Sequence, residues 1–384
     1  MDPLDWLGQR KAAGLLRALH PMQRKVGQDV TGMSSATPLI DFSSNDYLAL
    51  SHHPAVIATS RRYLDQYGVG AGAARLMSGD CDYHHELEQA IARYKGKESA
   101  LLFGSGYMAN SGMIPALVGR HDVIFSDRLN HASIVDGCRT SGANVVRFRH
   151  NDMVHLEELL QAKRGDRRAL IIVESLYSMD GDVAPLAEIV RLKKKYNCVL
   201  LVDEAHATGL FGKTGSGLVE DCGVTDDVEL VMGTFSKGLG SFGAYVAAEQ
   251  MWIDYLVNRA RSFIYSTALP PAVIGASLGA LQVVQEDPSL AEVLRRKTRQ
   301  FKDYFAEQGI VLQSDSQIVP MMIGASDPAM QMAQTLKDKG FHVTAVRPPT
   351  VPENTARLRF SVTLHHSDDD LRSLAETVGA LRER

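Results

Sequence analysis

From about residue 40 to residue 280 the chain alternates short apolar runs with stretches whose apolar positions recur at helical spacing. Leu101-Leu102-Phe103, Val123-Ile124-Phe125, Val145-Val146-Arg147-Phe148, Leu170-Ile171-Ile172-Val173, Val199-Leu200-Leu201-Val202 and Leu230-Val231-Met232 are predicted strands. Several are apolar at every position, as expected of strands covered on both faces in a parallel sheet. Between them, Glu86 to Tyr94 carries Leu87, Ile91 and Tyr94 on one helical face, and Gly96 is placed to cap the C-terminus. The alternation predicts an α/β architecture, a mostly parallel sheet with crossover helices on both faces.

The flanks read differently. Leu4, Leu7, Leu15, Leu16 and Leu19 predict an amphipathic helix over Leu4 to Leu19. Gly32 to Thr37 is small and polar, hence loop, and leads into a short predicted strand over Pro38-Leu39-Ile40-Asp41-Phe42. A long helix is predicted from Pro271 towards Val284, and Asp287-Pro288 marks a hinge into a smaller α+β unit. Strands are expected there at Ile310 to Leu312, Val319 to Ile323, Phe341 to Val346 and Arg357 to Val362. The expected organisation is an N-terminal helical segment over 1–40, a large α/β domain over 41–287 and a small C-terminal α+β domain over 288–384.

Composition narrows the function classes. At 384 residues the chain is too long for one ordinary core. A formal net charge of −4 argues against a broad nucleic-acid footprint, which needs a basic surplus. The longest apolar runs fall far short of the roughly 20 residues that span a bilayer. The opening Met1-Asp2-Pro3-Leu4-Asp5 is acidic and lacks an apolar signal region. Cys81, Cys138, Cys198 and Cys222 are widely spaced, which favours reduced thiols and a cytoplasmic location over disulfides or zinc. The adjacent pairs His84-His85 and His365-His366 lack ligand spacing, so no metal is expected and these histidines read as solvated.

In open α/β sheets ligands gather at the carboxyl ends of the strands, so the residues after each apolar run carry the functional signal. Gly104-Ser105-Gly106-Tyr107 follows the first run and opens a helical pattern, a turn whose backbone N–H groups suit a phosphate, or simply a structural turn. Asp203-Glu204-Ala205-His206 follows another: Asp203 either caps the next turn or pairs with a cation such as a protonated ring nitrogen. Gly233-Thr234-Phe235-Ser236-Lys237-Gly238 follows a third. A lysine among small residues at a strand end can be desolvated to the neutral amine that Schiff-base chemistry requires. The set matters more than any member.

That set resembles the fold-type I enzymes that use pyridoxal 5′-phosphate (PLP), and more narrowly the α-oxoamine synthases. These condense an amino acid with an acyl thioester and release CO2. The resemblance also rests on Asn45-Asp46-Tyr47-Leu48, Gly68-Val69-Gly70-Ala71-Gly72, Ser126 to Ser133 and Glu174 to Asp182, in the family's order over nearly the whole chain. Ile264 to Ala272 and Ala345 to Pro352 point to the member that joins L-alanine to a pimeloyl thioester on the way to biotin. Departures fall at Ala49, Ala71, Ala73-Ala74 and Gly240-Ser241-Phe242-Gly243, which bear on acyl-chain selectivity more than on the cofactor.

The resemblance implies the following roles. Lys237 carries PLP and removes the substrate α-proton; Asp203 pairs with the ring nitrogen; Ser178 and His206 bond the ring oxygen. Gly106, Tyr107 and Thr234 hold the phosphate, and His131 stacks on the ring and orients the substrate carboxylate. Asn45 and Thr350 are substrate contacts, Arg347 is a bidentate carboxylate clamp, and Arg17 meets the acyl portion. A homodimer is expected, with Ser266 and Thr267 reaching the neighbour's phosphate, and an acyl carrier protein is a possible donor partner. Water must be kept from the carbanion, which argues for closure between the domains. The rival readings are a sibling synthase using glycine or serine, a PLP aminotransferase or lyase, a Rossmann oxidoreductase, and a non-catalytic binding protein. The Rossmann reading is disfavoured because Ala109 stands where the third fingerprint glycine belongs.

Overall fold

The computed structural model describes residues 2–19, 21–25, 30–32 and 38–382, which fall into two compact units. One comprises Asp46–Ser178 and Asp182–Glu292; the other comprises Met1–Asn45, Met179–Gly181 and Val293–Arg384.

The first unit is built on a seven-stranded sheet. In chain order its strands are β1 Ser99–Phe103, β2 Val123–Asp127, β3 Asn144–Phe148, β4 Ala169–Glu174, β5 Val199–Asp203, β6 Leu230–Thr234 and β7 Ala244–Ala248. Their spatial order is β1-β7-β6-β5-β4-β2-β3. All neighbours run parallel except β7, which is antiparallel to both β1 and β6. The six apolar runs all become strands. Strands β2, β4, β6 and β7 are buried at every position, so their side chains contribute to core on both faces. On one face Ile124, Leu170, Ile172, Leu201 and Met232 pack with Met113 and Ile114 of helix Gly106–Leu117 and with Ile253 and Leu256 of helix Gln250–Arg259. Each such side chain contributes roughly 1.5–3 kcal/mol through removal from water.

Strand β7 was not anticipated. Its sequence Ala-Tyr-Val-Ala-Ala offers neither an apolar run of large residues nor strong strand propensity. Pairing on both edges fixes it instead. The helix expected over Glu86 to Tyr94 spans Asp82–Lys95 and ends at Gly96, whose φ of 63° supplies the left-handed C-cap. The helix expected from Pro271 runs Pro271–Glu286.

The second unit holds an antiparallel three-stranded sheet in the order Ile318–Gly324, Ala356–Ser361, Thr344–Val346. A second sheet orders Met22–Gln23, Val30–Gly32, Pro38–Asp41 and Phe341–His342. Phe42, Phe301, Phe305 and Phe360 form its aromatic core. Three expectations fail here. The N-terminal helix spans only Pro3–Ala12, because the chain turns at Gly14 with φ of 64°, and Leu19 remains exposed. Ile310 to Leu312 is not a strand: Ile310 and Leu312 are buried without ladder partners, Val311 faces solvent, and the burial pattern mimics alternation. The run Phe341 to Val346 is broken at Val343, each half pairing with a different sheet. Of the loop expected over Gly32 to Thr37, Gly32 closes a strand and 33–37 lie outside the described residues.

Two of the histidines expected in solvent are buried. His84 is fully buried, with Nε2 against the Leu269 carbonyl at 2.9 Å. His366 stacks on Phe42 at 4.0 Å, and burial pulls its imidazole down to about 4. Both act as neutral core residues, satisfied by carbonyl oxygens that periodicity does not reveal. All four cysteines are free thiols.

Candidate active site

Strands β4, β5 and β6 are parallel, so their carboxyl ends bring Glu174, Asp203 and Thr234 to one edge of the sheet. Glu174 and Asp203 are register partners, and both are almost wholly buried. Asp203 Oδ1 accepts from the Ala205 N–H at 2.9 Å and Oδ2 from Asn110 Nδ2 at 2.9 Å. Two neighbouring carboxylates cannot both ionise cheaply in such a setting. Burial, then the charge of Asp203, push the Glu174 carboxyl up to about 8, opposed by Lys237.

Beyond β6 the chain turns through Lys237, whose Nζ lies 2.9 Å from His206 Nε2. His206 Nδ1 lies 2.7 Å from the hydroxyl of Tyr47, a residue with no exposed surface. When Tyr47 donates to Nδ1, the imidazole proton sits on Nε2 and the lysine must accept it as a neutral amine. When Lys237 is an ammonium, the roles reverse and Tyr47 accepts. The charge on Lys237 therefore decides which nitrogen of His206 carries the proton and whether Tyr47 donates or accepts. Tyr47 stands in the Asn45-Asp46-Tyr47-Leu48 motif, and the fold sets its hydroxyl against His206.

The glycine turn after β1 opens helix Gly106–Leu117, with Ser105 as N-cap: its Oγ accepts from the Met108 N–H at 3.2 Å. A Cβ on Gly106 would meet Thr234 Cγ2 at 2.8 Å, so only glycine lets the helix start approach β6 so closely. Thr234 Oγ1 is buried with no hydrogen-bond partner among the described residues. The Tyr107 ring is half exposed, its hydroxyl bonded to Asp136. Ser178 is buried in the same unit.

His131 caps helix Ala132–Ser141, with Nδ1 accepting from the Ser133 N–H at 3.2 Å. Its own N–H donates to Glu174 Oε1 at 2.5 Å. Burial lowers its imidazole below the ordinary range; Asp203 opposes that shift and Lys237 reinforces it. Glu174 and Asn110 are polar groups of this site that strand-end reading passed over. Glu174 closes an apolar run just as Asp203 does, and that signal was available.

The remaining candidates belong to the second unit. Arg17 Nη2 donates to Thr350 Oγ1 at 3.1 Å, and Arg347 Nη2 donates to the Leu16 carbonyl at 2.8 Å, so Arg17, Arg347 and Thr350 form one neighbourhood. Asn45 Oδ1 accepts from Arg359 Nη2 at 3.3 Å. The first unit thus gathers Gly106, Tyr107, His131, Ser178, Asp203, His206, Thr234 and Lys237, and the second gathers the other four.

Residues 37–378 match the family described as aminotransferase class I and II. The chain belongs to that family of PLP-dependent, fold-type I enzymes. The 8-amino-7-oxononanoate synthase of Geobacter sulfurreducens is 48% identical to it over 368 residues, 95% of this chain and 94% of that one. The synthase of Pelobacter propionicus is 45% identical over 383 residues, 99% and 97% of the two chains. Among solved structures, serine palmitoyltransferase from S. paucimobilis with a bound PLP–myriocin aldimine is 30% identical with a TM-score of 0.93, covering 99% of this chain and 96% of that one. Within the family the chain falls with the 8-amino-7-oxononanoate synthases, which are acyltransferases.

The residues fit PLP. Thr234 Oγ1 is a buried polar atom awaiting a partner, beside a helix N-terminus whose first residue admits no Cβ. A buried carboxylate and a lysine stand at neighbouring strand ends.

Proposed function

We propose that the chain condenses L-alanine with pimeloyl-CoA, or a pimeloyl carrier protein, to give 8-amino-7-oxononanoate, CO2 and the free thiol in biotin synthesis. The observation that carries this reading is the Lys237–His206–Tyr47 chain beside buried Asp203. Lys237 would hold the cofactor, and its free amine would remove the Cα proton of alanine. Asp203 keeps the ring nitrogen protonated, and PLP when bound supplies the electron sink that makes this proton removable. Ser178 and His206 bond the ring oxygen; Gly106, Tyr107 and Thr234 receive the phosphate at the helix N-terminus. His131 packs on the ring. Its neutral imidazole donates to the substrate and supports the proton transfers of acylation. The Cα then bonds to the thioester carbonyl carbon as the C–S bond breaks and the thiolate leaves; the former alanine carboxylate departs as CO2, and Cα takes back the proton that Lys237 removed. Arg347 clamps that carboxylate until then, Asn45 and Thr350 contact the substrate, and Arg17 meets the acyl portion.

The protein acts as a cytoplasmic homodimer. Exposed Leu76, Met77 and Tyr265 support a self-interface, since segments 73–79 and 261–268 adjoin through the Ala74–Thr267 bridge. Among the described residues no helix is long and apolar enough to cross a membrane. The test is product analysis with purified protein, PLP and pimeloyl-CoA. Release of CO2 that requires alanine, with a product of the mass of 8-amino-7-oxononanoate, supports the reading. Preferential turnover of glycine or serine with another acyl-CoA overturns it in favour of a sibling synthase.

A further inference from the structure

We infer that Asn110 is a positioning residue of the reaction centre: its side-chain amide ties the carboxylate of Asp203 to the imidazole of His131 through Ser133. The inference rests on the roles proposed above for Asp203 and His131.

Asn110 lies in helix Gly106–Leu117 and has no exposed surface. Its Nδ2 donates to Asp203 Oδ2 at 2.9 Å and to Ser133 Oγ at 3.0 Å, which uses both amide protons. Turning the amide over would aim its carbonyl at the carboxylate, so the electrostatics permit only this orientation. Its Oδ1 is buried without a partner among the described residues, a cost that a leucine of similar size would avoid. Packing alone therefore does not account for an asparagine here.

The polarity of the network follows from its fixed members. Ser133 N–H points at His131 Nδ1, so Nδ1 is an acceptor and the imidazole proton resides on Nε2. Ser133 Oγ accepts from Asn110, and its own proton then goes to His131 Nδ1 at 2.8 Å. From Asn110 the donors run one way to Asp203 and the other way, through Ser133, to His131. One amide thus orients the group that meets the ring nitrogen and, through the Ser133 hydroxyl, strengthens the imidazole tautomer that the Ser133 N–H favours. Among the described residues no other side chain donates to Asp203, whose remaining bond comes from the Ala205 N–H. The second anchor of His131, its N–H to Glu174, holds the backbone but leaves the ring tautomer open.

The experiment compares wild-type holoenzyme with Asn110→Leu, Ser133→Ala and the double variant. Three readouts are taken: the visible spectrum of the bound cofactor against pH, alanine affinity from the spectral change, and His131 tautomer by 15N NMR of histidine-labelled protein. Ser133→Ala removes the hydroxyl, one of two donors to Nδ1, and is expected to lower the Nε2–H population while leaving the Asp203-dependent spectral titration near wild type. Asn110→Leu is expected to change both, and to weaken alanine binding roughly 2- to 10-fold, the value of one hydrogen bond. The double variant is expected to add nothing to the His131 signal of Asn110→Leu. An unchanged Nε2–H population in Ser133→Ala, or a wild-type spectral titration in a folded Asn110→Leu, overturns the inference. Should Asn110→Leu not fold, the tautomer in Ser133→Ala alone decides. A wild-type protein without any cofactor band overturns the PLP assignment itself, a separate failure.

Discussion

Next to Asp203, Glu204 is fully buried and paired with Lys95, whose ammonium is also buried. Lys95 Nζ donates to Glu204 Oε2 at 2.7 Å, to Thr208 Oγ1 at 3.2 Å and to the Ser216 carbonyl. Glu204 Oε1 accepts from the Val219 N–H at 2.8 Å. Burial works against the Lys95 charge, but the Glu204 carboxylate outweighs it and holds the lysine above its ordinary range. The pair anchors the segment that carries His206. Lys95→Met keeps the volume but leaves a desolvated carboxylate, which costs about 3–5 kcal/mol. That is a large fraction of the roughly 5–15 kcal/mol that stabilises a folded protein. Combining it with Glu204→Gln keeps the acceptor for Val219 and removes the stranded charge, so at least half of the loss should return. The loss in Lys95→Met should also grow with pH, because its buried Glu204 binds a proton more tightly folded than unfolded. Urea unfolding followed by circular dichroism at several pH values measures all three quantities. A loss below about 1 kcal/mol, or a double variant no better than the single, would refute the reasoning.

Three further outcomes follow from the site and its surroundings. Glu174 is held near 8, above the ordinary carboxylate value of about 4.3, so cofactor-free protein should lose stability as pH rises through that window. Glu174→Gln should flatten the slope of the urea midpoint against pH; an unchanged slope would contradict the burial of that charge. His150 lies between Asp127 Oδ1 at 3.0 Å and Asp182 Oδ2 at 2.7 Å; burial opposes its charge, but these partners raise it to about 9. Its stabilisation should be complete below about 6.5 and lost as pH rises through about 9, and His150→Gln should remove that dependence in a thermal melt. Thr234→Val removes an unpartnered buried hydroxyl, so the fold should hold while PLP binding, by equilibrium dialysis, weakens roughly 10- to 100-fold.

The central sheet was legible because parallel strands buried on both faces leave continuous apolar runs, and Leu170 to Val173 is the plainest case. Strand β7 was not, because alanines carry little pattern and its place is fixed by pairing with β6 just before it and with β1 far earlier in the chain. The N-terminal helix was overextended for a local reason: Leu15 and Leu16 continue the period, but Gly14 ends the helix at a positive φ. Among site residues, those at strand ends could be read from the sequence, since Asp203 and Lys237 each follow an apolar run. Glu174 closes an apolar run in the same way and was equally legible, whereas Tyr47 and Asn110 owe their chemistry to what the fold sets beside them.

The most direct measurement is the absorption spectrum of purified protein after PLP is added, before and after L-alanine, beside Lys237→Ala. The account predicts a visible band that shifts with alanine and is lost or altered in the variant. A wild-type protein that shows no such band with added PLP would contradict it.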